Sequence, residues 1–397
     1  MNDVANLAGG LERREERFEI GQGQDESWQI GPYAAQGFSS ASNGFPGFSP
    51  LASGDWARRN IAVYADLNLG RANDPWEIGI AARYEDFSDF GDKATGKISA
   101  RVEATEEVAF RASANTGFRA PTPGQQNAFN VSTVFDTDIG DLVNRGTIPS
   151  TSAVARLRGG EQLQPESSKS LAAGVVYERE AWRLTMDYFR ISISDRFAQT
   201  SDFMLTDAEV DQLVAEGITS AANLSEFRFF TNDFATRTHG VDLVANYSPA
   251  PATNVSVLFN YTGTKVTERN PDIVDASRVD QLERALPRFR SVASVWHDLG
   301  AVTGLVRGTY YDGFYDSELS DPDQRYGASI IFDAELTVPL MENATFAIGA
   351  NNIFNSYPDQ NPNASDLGAL YPESTASGFN GGYYYVRLSY DWLWATR

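Results

Sequence analysis

Apolar and polar residues alternate along many stretches of this chain, and the stretch near its C-terminus is the clearest. From Tyr384 to Trp392 every second residue is apolar, and Arg387, Ser389 and Asp391 are among the residues between them. Successive side chains of a β-strand point to opposite faces, so the pattern predicts a strand with one apolar and one polar face. The apolar face then packs either in a protein core or against lipid.

The same pattern predicts about 14 strands of roughly 10–14 residues each along the chain. Such strands are longer than the five or six residues that are usual in β-sandwiches. In the seventh strand the alternation slips at Tyr188 and Phe189, which predicts a β-bulge. The predicted strands cover residues 10–20, 56–69, 76–88, 94–104, 107–118, 168–180, 182–193, 236–248, 254–266, 288–299, 302–315, 328–339, 343–354 and 383–392.

Long and short connections alternate between the predicted strands. Tight turns such as 180–181 and 340–342 alternate with long segments such as 120–167 and 355–382. This sorting is typical of an outer-membrane barrel, with periplasmic turns and long external loops. We therefore predict an all-β fold, a transmembrane antiparallel up-and-down β-barrel, in which the apolar face of the last strand contacts lipid. Aromatic residues beside the tight turns predict a periplasmic aromatic belt, and these are Trp76, Trp182, Tyr247 and Trp392.

One long connection, 194–235, contains a helical pattern at 206–217. Thr206 is suited to be the N-cap, Glu209 follows three residues later, and Gly217 is suited to end the helix. The pattern predicts a short amphipathic helix in an external loop.

The residue composition of the chain argues against several classes of function. The chain of 397 residues has a formal net charge of −21, which disfavours binding to nucleic acid. It contains no cysteine, and its two histidines lie in different predicted strands, so we expect no metal site and no cofactor. The acidic segments 136–141 and 321–323 are expected to be solvated loops, with calcium binding as the alternative. No run of 18 apolar residues predicts a transmembrane helix, and residues 1–17 lack the pattern of a signal peptide. The chain as written therefore either stays in the cytoplasm or forms the C-terminal part of a longer protein.

Aromatic residues in polar loops are candidate ligand contacts, because rigid rings suit sugars, siderophores and other ring-bearing ligands. The alternative is an ordinary external aromatic girdle. Arg119 is a further candidate for an anionic ligand, and its alternative is a salt bridge in the lumen or at the rim. The aromatic candidates are Trp28, Tyr33, Phe38, Phe45, Phe48, Tyr310, Tyr311, Phe314 and Tyr315.

Six segments in family order resemble the C-terminal barrel of TonB-dependent outer-membrane receptors. Ala172 and Asp242 stand where the family pattern usually has glutamate, and five residues follow the terminal Trp392. The segments are NTGFRAPT at 115–122, LQPESSKSLAAG at 163–174, THGVDL at 238–243, ALPRFRS at 285–291, GANNIFNSYP at 349–358 and GYYYVRLSYDW at 382–392.

The resemblance implies that residues 1–397 are a partial barrel domain, the last part of a 22-stranded barrel whose plug, TonB box and signal peptide lie outside the chain. It implies no enzymatic reaction. It implies active uptake across the outer membrane of a Gram-negative bacterium, driven by TonB–ExbB–ExbD through the plug, and assembly by the barrel-assembly machinery. The expected small-molecule ligand is an iron–siderophore complex, with an oligosaccharide or cobalamin as options. The alternatives are a passive porin-like channel, a non-functional gene fragment and a soluble all-β carbohydrate-binding protein.

Overall fold

The computed structural model describes residues 5–29, 33, 47–48, 52–70, 74–136, 141–215, 224, 226–316 and 324–392. Fourteen long strands dominate this part of the chain, and they confirm all 14 strands that the alternation predicts. They are β1 (Ala5–Ile20), β2 (Gly54–Leu69), β3 (Trp76–Phe87), β4 (Gly91–Glu103), β5 (Val108–Arg119), β8 (Glu166–Arg179), β9 (Trp182–Gln199), β12 (Phe230–Ala250), β13 (Thr253–Arg269), β14 (Phe289–Asp298), β15 (Thr303–Tyr311), β18 (Ser329–Met341), β19 (Ala344–Asn351) and β20 (Tyr383–Tyr390).

These strands form one antiparallel sheet in which every strand pairs with the next long strand of the sequence. The order is β1-β2-β3-β4-β5-β8-β9-β12-β13-β14-β15-β18-β19-β20, which is an up-and-down topology. Within the described residues, β1 pairs only with β2 and β20 pairs only with β19, so these two strands form the edges of the sheet.

The connections have the predicted alternation. Short turns join β8 to β9 at 180–181, β12 to β13 at 251–252 and β18 to β19 at 342–343. At the opposite end of the sheet, 120–165 joins β5 to β8 and 200–229 joins β9 to β12. The first end is therefore the tight-turn end, and the second is the loop end.

The two faces of the sheet differ in chemistry. One face, called the outer face here, presents exposed apolar side chains such as Leu11, Val386 and Leu388. The other face, called the inner face, contains ion pairs within and between strands that join arginine nitrogens to carboxylate oxygens at 2.7–2.8 Å. An apolar face that stays exposed beside a charged face is the arrangement of a barrel in lipid with a polar lumen. The inner pairs are Arg83–Glu85, Arg111–Asp187, Arg307–Asp333 and Arg387–Glu335.

The β-bulge predicted at Tyr188 and Phe189 is wrong. The register of β9 against β12 is continuous from Trp182 to Ile193, and the irregularities lie beyond Ile193. Phe189 lies on the inner face, where its ring occupies the space that a Cβ on Gly240 would need. An aromatic ring covering a glycine, rather than a bulge, therefore explains the two consecutive apolar residues.

A separate lobe at the loop end has a buried core of its own. Four short strands pair with one another in a second sheet, and a helix packs beside them. Phe227 and Phe229 are fully buried in the core, as is Leu213 of the helix. The helix confirms the predicted helix over Asp207–Ala215, and its predicted end at Gly217 lies outside the described residues. The lobe comprises β6 (Asn130–Asp136), β7 (Asp141–Thr147), α2 (Ala153–Arg156), β10 (Phe203–Met204), α3 (Asp207–Ala215) and β11 (Glu226–Arg228).

Four smaller elements complete the loop end. They are α1 (Pro123–Gln126), α4 (Ala276–Arg284), α5 (Ala364–Leu367) and a two-stranded sheet of β16 (Phe314–Tyr315) and β17 (Arg325–Tyr326). Within the described part of the chain, none of the helices has the length and apolar character needed to cross a membrane.

Candidate ligand-binding site

Four connections of the loop end meet around one polar cavity of about 340 Å³. The lining residues come from the segments before β8, between β9 and β12, before β14 and before β20. We call this space the loop cavity. It is lined by Arg145, Thr200, Ser201, Asp202, Arg228, Asp275, Ser277, Arg278, Gln281 and Glu373.

Three arginines, each from a different connection, contribute positive charge to the lining of the loop cavity. Nε of Arg145 lies 2.5 Å from a carboxylate oxygen of Glu226 and 3.7 Å from one of Asp202. Nε of Arg228 is buried and has no hydrogen-bond partner among the described residues. A buried guanidinium nitrogen without a partner is costly, and an anionic group that accepts its hydrogen bond removes that cost.

Helix α4 places its residues at the loop cavity. The Asp275 carboxylate caps the helix by accepting a hydrogen bond from the backbone N–H of Arg278 at 2.8 Å. The backbone N–H of Asp275 donates to the Ser201 hydroxyl at 3.1 Å, which links this connection to the one after β9. Because Asp275 is used as a cap, its charge already has a partner.

The carboxyl group of Asp202 lies in the loop cavity beside Arg145. Burial raises the pKa of Asp202, and the positive charges of Arg145 and Arg228 oppose this rise. A raised pKa means that the charged form of Asp202 costs free energy in this position.

A second, small cleft contains two of the aromatic residues predicted from the sequence. Tyr311 and Phe314 line it together with Tyr326 and Tyr357. The rings of Phe314 and Tyr326 stack with centroids 5.3 Å apart. The cleft holds only about 40 Å³, so it fits a small group or part of a ligand.

Tyr310 and Tyr315 lie elsewhere. Tyr310 is on the outer face, with its ring centroid 5.5 Å from that of Phe289, which places it in an outer aromatic girdle. The Tyr315 ring lies under two guanidinium groups, those of Arg284 at 5.2 Å and Arg325 at 6.0 Å. The structure therefore places Tyr310, Tyr311, Phe314 and Tyr315, which are close in the sequence, in three different environments.

Trp28, Tyr33 and Phe48, the predicted aromatic residues of the first long loop that the structure describes, do not line the loop cavity or the aromatic cleft. Tyr33 is exposed, Phe48 is partly exposed, and Trp28 follows a short 3-10 helix at Asp25–Ser27. Phe38 and Phe45 lie outside the described residues. Their contact with a ligand stays a prediction.

Arg119 forms the salt bridge that was its alternative role. Its Nε and one terminal nitrogen donate to the two carboxylate oxygens of Glu166 at 2.7 and 3.2 Å. The guanidinium carbon also lies 4.3 Å from the centroid of the Phe197 ring. A contact between Arg119 and a ligand stays a prediction.

Two of the predicted belt residues meet at the tight-turn end. Trp182 and Tyr247 are paired across β9 and β12, and their rings stack with centroids 4.2 Å apart. Trp76 begins β3 and Trp392 follows β20, and both are exposed. All four positions are suited to the water–lipid interface, where amphipathic aromatic rings are favoured.

Sequence reasoning missed the arginines of the loop cavity. Arg145, Arg228 and Arg278 are far apart in the sequence and follow no motif. Only the folding of four connections against each other brings them together, and no local signal in one sequence reports that packing.

Comparisons with known proteins agree with this architecture. A family model described as "TonB dependent receptor-like, beta-barrel" matches residues 4–353. No curated protein sequence is similar enough to this chain to count as a match.

Several solved structures share the fold. A mutant of the ferric enterobactin receptor PfeA of Pseudomonas aeruginosa matches with a TM-score of 0.63 at 14% identity, over 97% of this chain and 51% of that chain. The siderophore receptor PirA of the same organism matches with 0.60 at 15% identity, over 87% and 51%. The FrpB iron transporter of Neisseria meningitidis matches with 0.58 at 12% identity, over 97% and 53%. The chain thus spans about half the length of these structures.

Proposed function

Because this chain belongs to the TonB-dependent receptor β-barrel family, we propose that it forms part of the barrel of an outer-membrane receptor that imports an anionic iron–siderophore complex. The family match and the solved siderophore and iron receptors support the general class. The observation that carries the choice of ligand is the loop cavity, where arginines from three external connections meet.

Charge is the reason for preferring an anionic chelate to a neutral sugar. Guanidinium groups bind carboxylate and other anionic oxygens with directional, charge-assisted hydrogen bonds. Three carboxylates, Asp202, Asp275 and Glu373, also line the cavity; Asp275 is engaged as a helix cap, and burial raises the pKa of Asp202. Arg228 in particular has a buried Nε that such an oxygen would satisfy.

Transport follows from the receptor class rather than from a reaction at a catalytic group. In this proposal the inner-membrane proton-motive force, relayed by TonB–ExbB–ExbD to a plug in the complete protein, moves the ligand inward. The ion pairs of the inner face give the ligand a polar wall along the lumen. The barrel-assembly machinery would insert the complete barrel, starting from its terminal strand.

The first experiment measures binding by the complete natural protein that contains this chain. Four probes are compared: ferric enterobactin, which is anionic, neutral ferrichrome, cobalamin and a maltodextrin. We expect ferric enterobactin to bind most tightly. Arg228→Gln should weaken that binding by about 10-fold or more, since a charge-assisted hydrogen bond contributes about 1.5–3 kcal/mol.

Arg156→Gln is the matched control, because Arg156 is an exposed arginine of the same lobe that does not line the loop cavity. Preferred binding of the neutral probes, or equal effects of the two substitutions, would contradict the anionic-chelate proposal. Uptake is then followed in cells with and without TonB. Loss of uptake without TonB supports the receptor, whereas unchanged uptake identifies a passive channel.

A further inference from the structure

The outer face has a group of basic side chains where β8, β9, β12 and β13 approach the loop end. All are exposed and all share the face of the apolar residues below them. We call them the basic patch, which consists of Lys169, Arg190, Arg237, His239 and Lys265.

The register of the strands places these residues directly beside one another. Arg237 is the cross-strand partner of Lys265. Arg190 is the cross-strand partner of His239, and Lys169 lies opposite Ser192, whose other partner is Arg237. Like charges at directly opposite positions of an antiparallel pair destabilise a sheet. Arg237 and Lys265 therefore repel each other unless an anion lies between them.

Below the register shift at Ala235 and Thr236, the outward positions of these four strands hold no acidic side chain; beyond it, Glu268 of β13 lies opposite Ala235. The outward positions of β9 from Trp182 to Ser192, and of β12 from Arg237 to Tyr247, hold no aspartate or glutamate. Within the described part of the chain, Lys169, Arg190, Arg237 and Lys265 have no ion-pair partner. This is unusual in a chain whose formal net charge is −21.

Another part of the outer face shows the opposite arrangement. On β1 and β2, Nε of Arg17 lies 2.8 Å from a carboxylate oxygen of Asp55, and Nε of Arg59 lies 3.3 Å from one of Glu15. Arg17 and Arg59 are therefore paired with acidic residues, whereas the described residues give the lysines and arginines of the basic patch no such pair.

The height of the basic patch matches the far edge of an apolar membrane band. Arg190 lies eight residues beyond Trp182 on the same face of β9. At about 3.4 Å per residue and a tilt of about 40°, this is roughly 20 Å across the membrane, close to the ~25 Å apolar band of outer-membrane barrels. Tyr188 and Tyr261 lie just below the patch as aromatic residues at the interface.

We propose that the basic patch binds the phosphate groups of phosphorylated glycolipid headgroups in the outer leaflet of the membrane. Phosphate oxygens accept charge-assisted hydrogen bonds from arginine and lysine, and their negative charge removes the repulsion between Arg237 and Lys265. The site faces lipid rather than the loop cavity. The proposal requires that the outer face contacts lipid and that the loop end lies at the outer leaflet. It does not depend on which ligand the receptor imports.

The test uses the complete natural protein that contains this chain, purified in detergent. Native mass spectrometry measures how much bisphosphorylated lipid A it retains, compared with lipid A whose phosphates have been removed. We expect at least 10-fold greater retention of the phosphorylated lipid and a decrease as the salt concentration rises. Equal retention of the two lipids would overturn the proposal, and this comparison needs no variant.

A variant locates the site. Changing all four permanent charges (K169Q, R190Q, R237Q and K265Q) should reduce retention of the phosphorylated lipid by at least 10-fold. The control R17Q/R59Q removes two arginines from the paired region of the outer face and should change retention by less than about twofold. Unchanged retention in the quadruple variant would overturn the assignment to the patch. If that variant does not fold, R237Q/K265Q is measured in its place.

Inorganic phosphate at the same phosphate concentration distinguishes a lipid site from a free-phosphate site. The proposal expects the lipid to stay bound, because its acyl chains contact the apolar band below the patch. Displacement by inorganic phosphate would overturn the lipid assignment. Binding of ferric enterobactin is measured on the same samples, so a failure of the proposed uptake function is seen separately from a failure of the lipid site.

Discussion

At the scale of single residues, one glycine supports the network of charges on the inner face of the last strands. The Tyr385 ring lies over Gly349, and its hydroxyl donates a hydrogen bond to Glu335 at 2.6 Å. Arg387 donates to the same carboxylate at 2.8 Å. A Cβ on Gly349 would lie 2.6 Å from the Tyr385 ring, so a larger residue there displaces the ring and breaks its hydrogen bond.

We therefore expect Gly349→Ala to lower the free energy of unfolding by about 1–3 kcal/mol, the usual cost of overpacking. Urea unfolding in lipid vesicles measures it. Gly96→Ala is the control, because a Cβ there meets only a backbone oxygen at 3.5 Å. A similar loss of stability in the two variants would contradict this account of Gly349.

Variants of Arg119 distinguish two roles for this charged residue at the end of β5, which are stabilising the fold and binding the ligand. Glu166 is almost fully buried, so removing Arg119 leaves a buried charge without its bidentate partner. We expect Arg119→Gln and Glu166→Gln each to lower thermal stability, and the double variant to lose less than the sum of the two. Additive losses would contradict a stabilising ion pair, and weaker ligand binding with unchanged stability would support the ligand contact predicted from the sequence.

At the scale of elements, helix α3 has a capping box whose strength depends on pH. Glu209 accepts hydrogen bonds from Arg158 at 2.6 Å and from the backbone and hydroxyl of Thr206 at 2.8 and 2.9 Å. These bonds lower the pKa of Glu209 to about 2. A carboxylate whose folded pKa lies below its unfolded value of about 4.3 stabilises the fold above that value and loses this contribution as the pH falls.

We therefore expect amide protection in 207–215 to decrease between about pH 5 and pH 2, as measured by hydrogen exchange with correction for the intrinsic pH dependence. Glu209→Gln removes the ionisable group, so its protection should be lower at pH 7 and nearly independent of pH over this range. A pH dependence that remains in Glu209→Gln would assign the effect to another group.

The strands also show what one sequence can and cannot predict. Alternation located all 14 long strands because lipid and water impose opposite chemistry on the two faces. It ended β9 at 193 and began β12 at 236, whereas the two strands pair as far as Gln199 and Phe230. Near the loop end lipid no longer constrains the outer face, so the pattern fades there. The loop cavity could not be predicted, since Arg145, Arg228 and Arg278 meet only through packing of distant loops.

At the scale of the whole molecule, the fourteen-stranded sheet has two edges. Within the described residues, β1 and β20 each pair with a single neighbour. In the hydrocarbon region every backbone N–H and C=O needs a partner, because no water is present to replace it. A membrane-inserted state therefore requires these edges to pair with other strands or with each other.

We expect this chain alone, expressed with a bacterial signal peptide, to give no heat-modifiable monomer in isolated outer membranes. The measurement is a gel that compares boiled with unboiled samples, since a closed barrel runs faster before it is boiled. The matched control is the complete natural protein that contains the chain. A fast-migrating monomer from the chain alone would show that β1 and β20 close on each other, and it would favour a small porin-like barrel. Our expectation follows from the cost of unpaired edges, because each unsatisfied backbone group in lipid costs several kcal/mol.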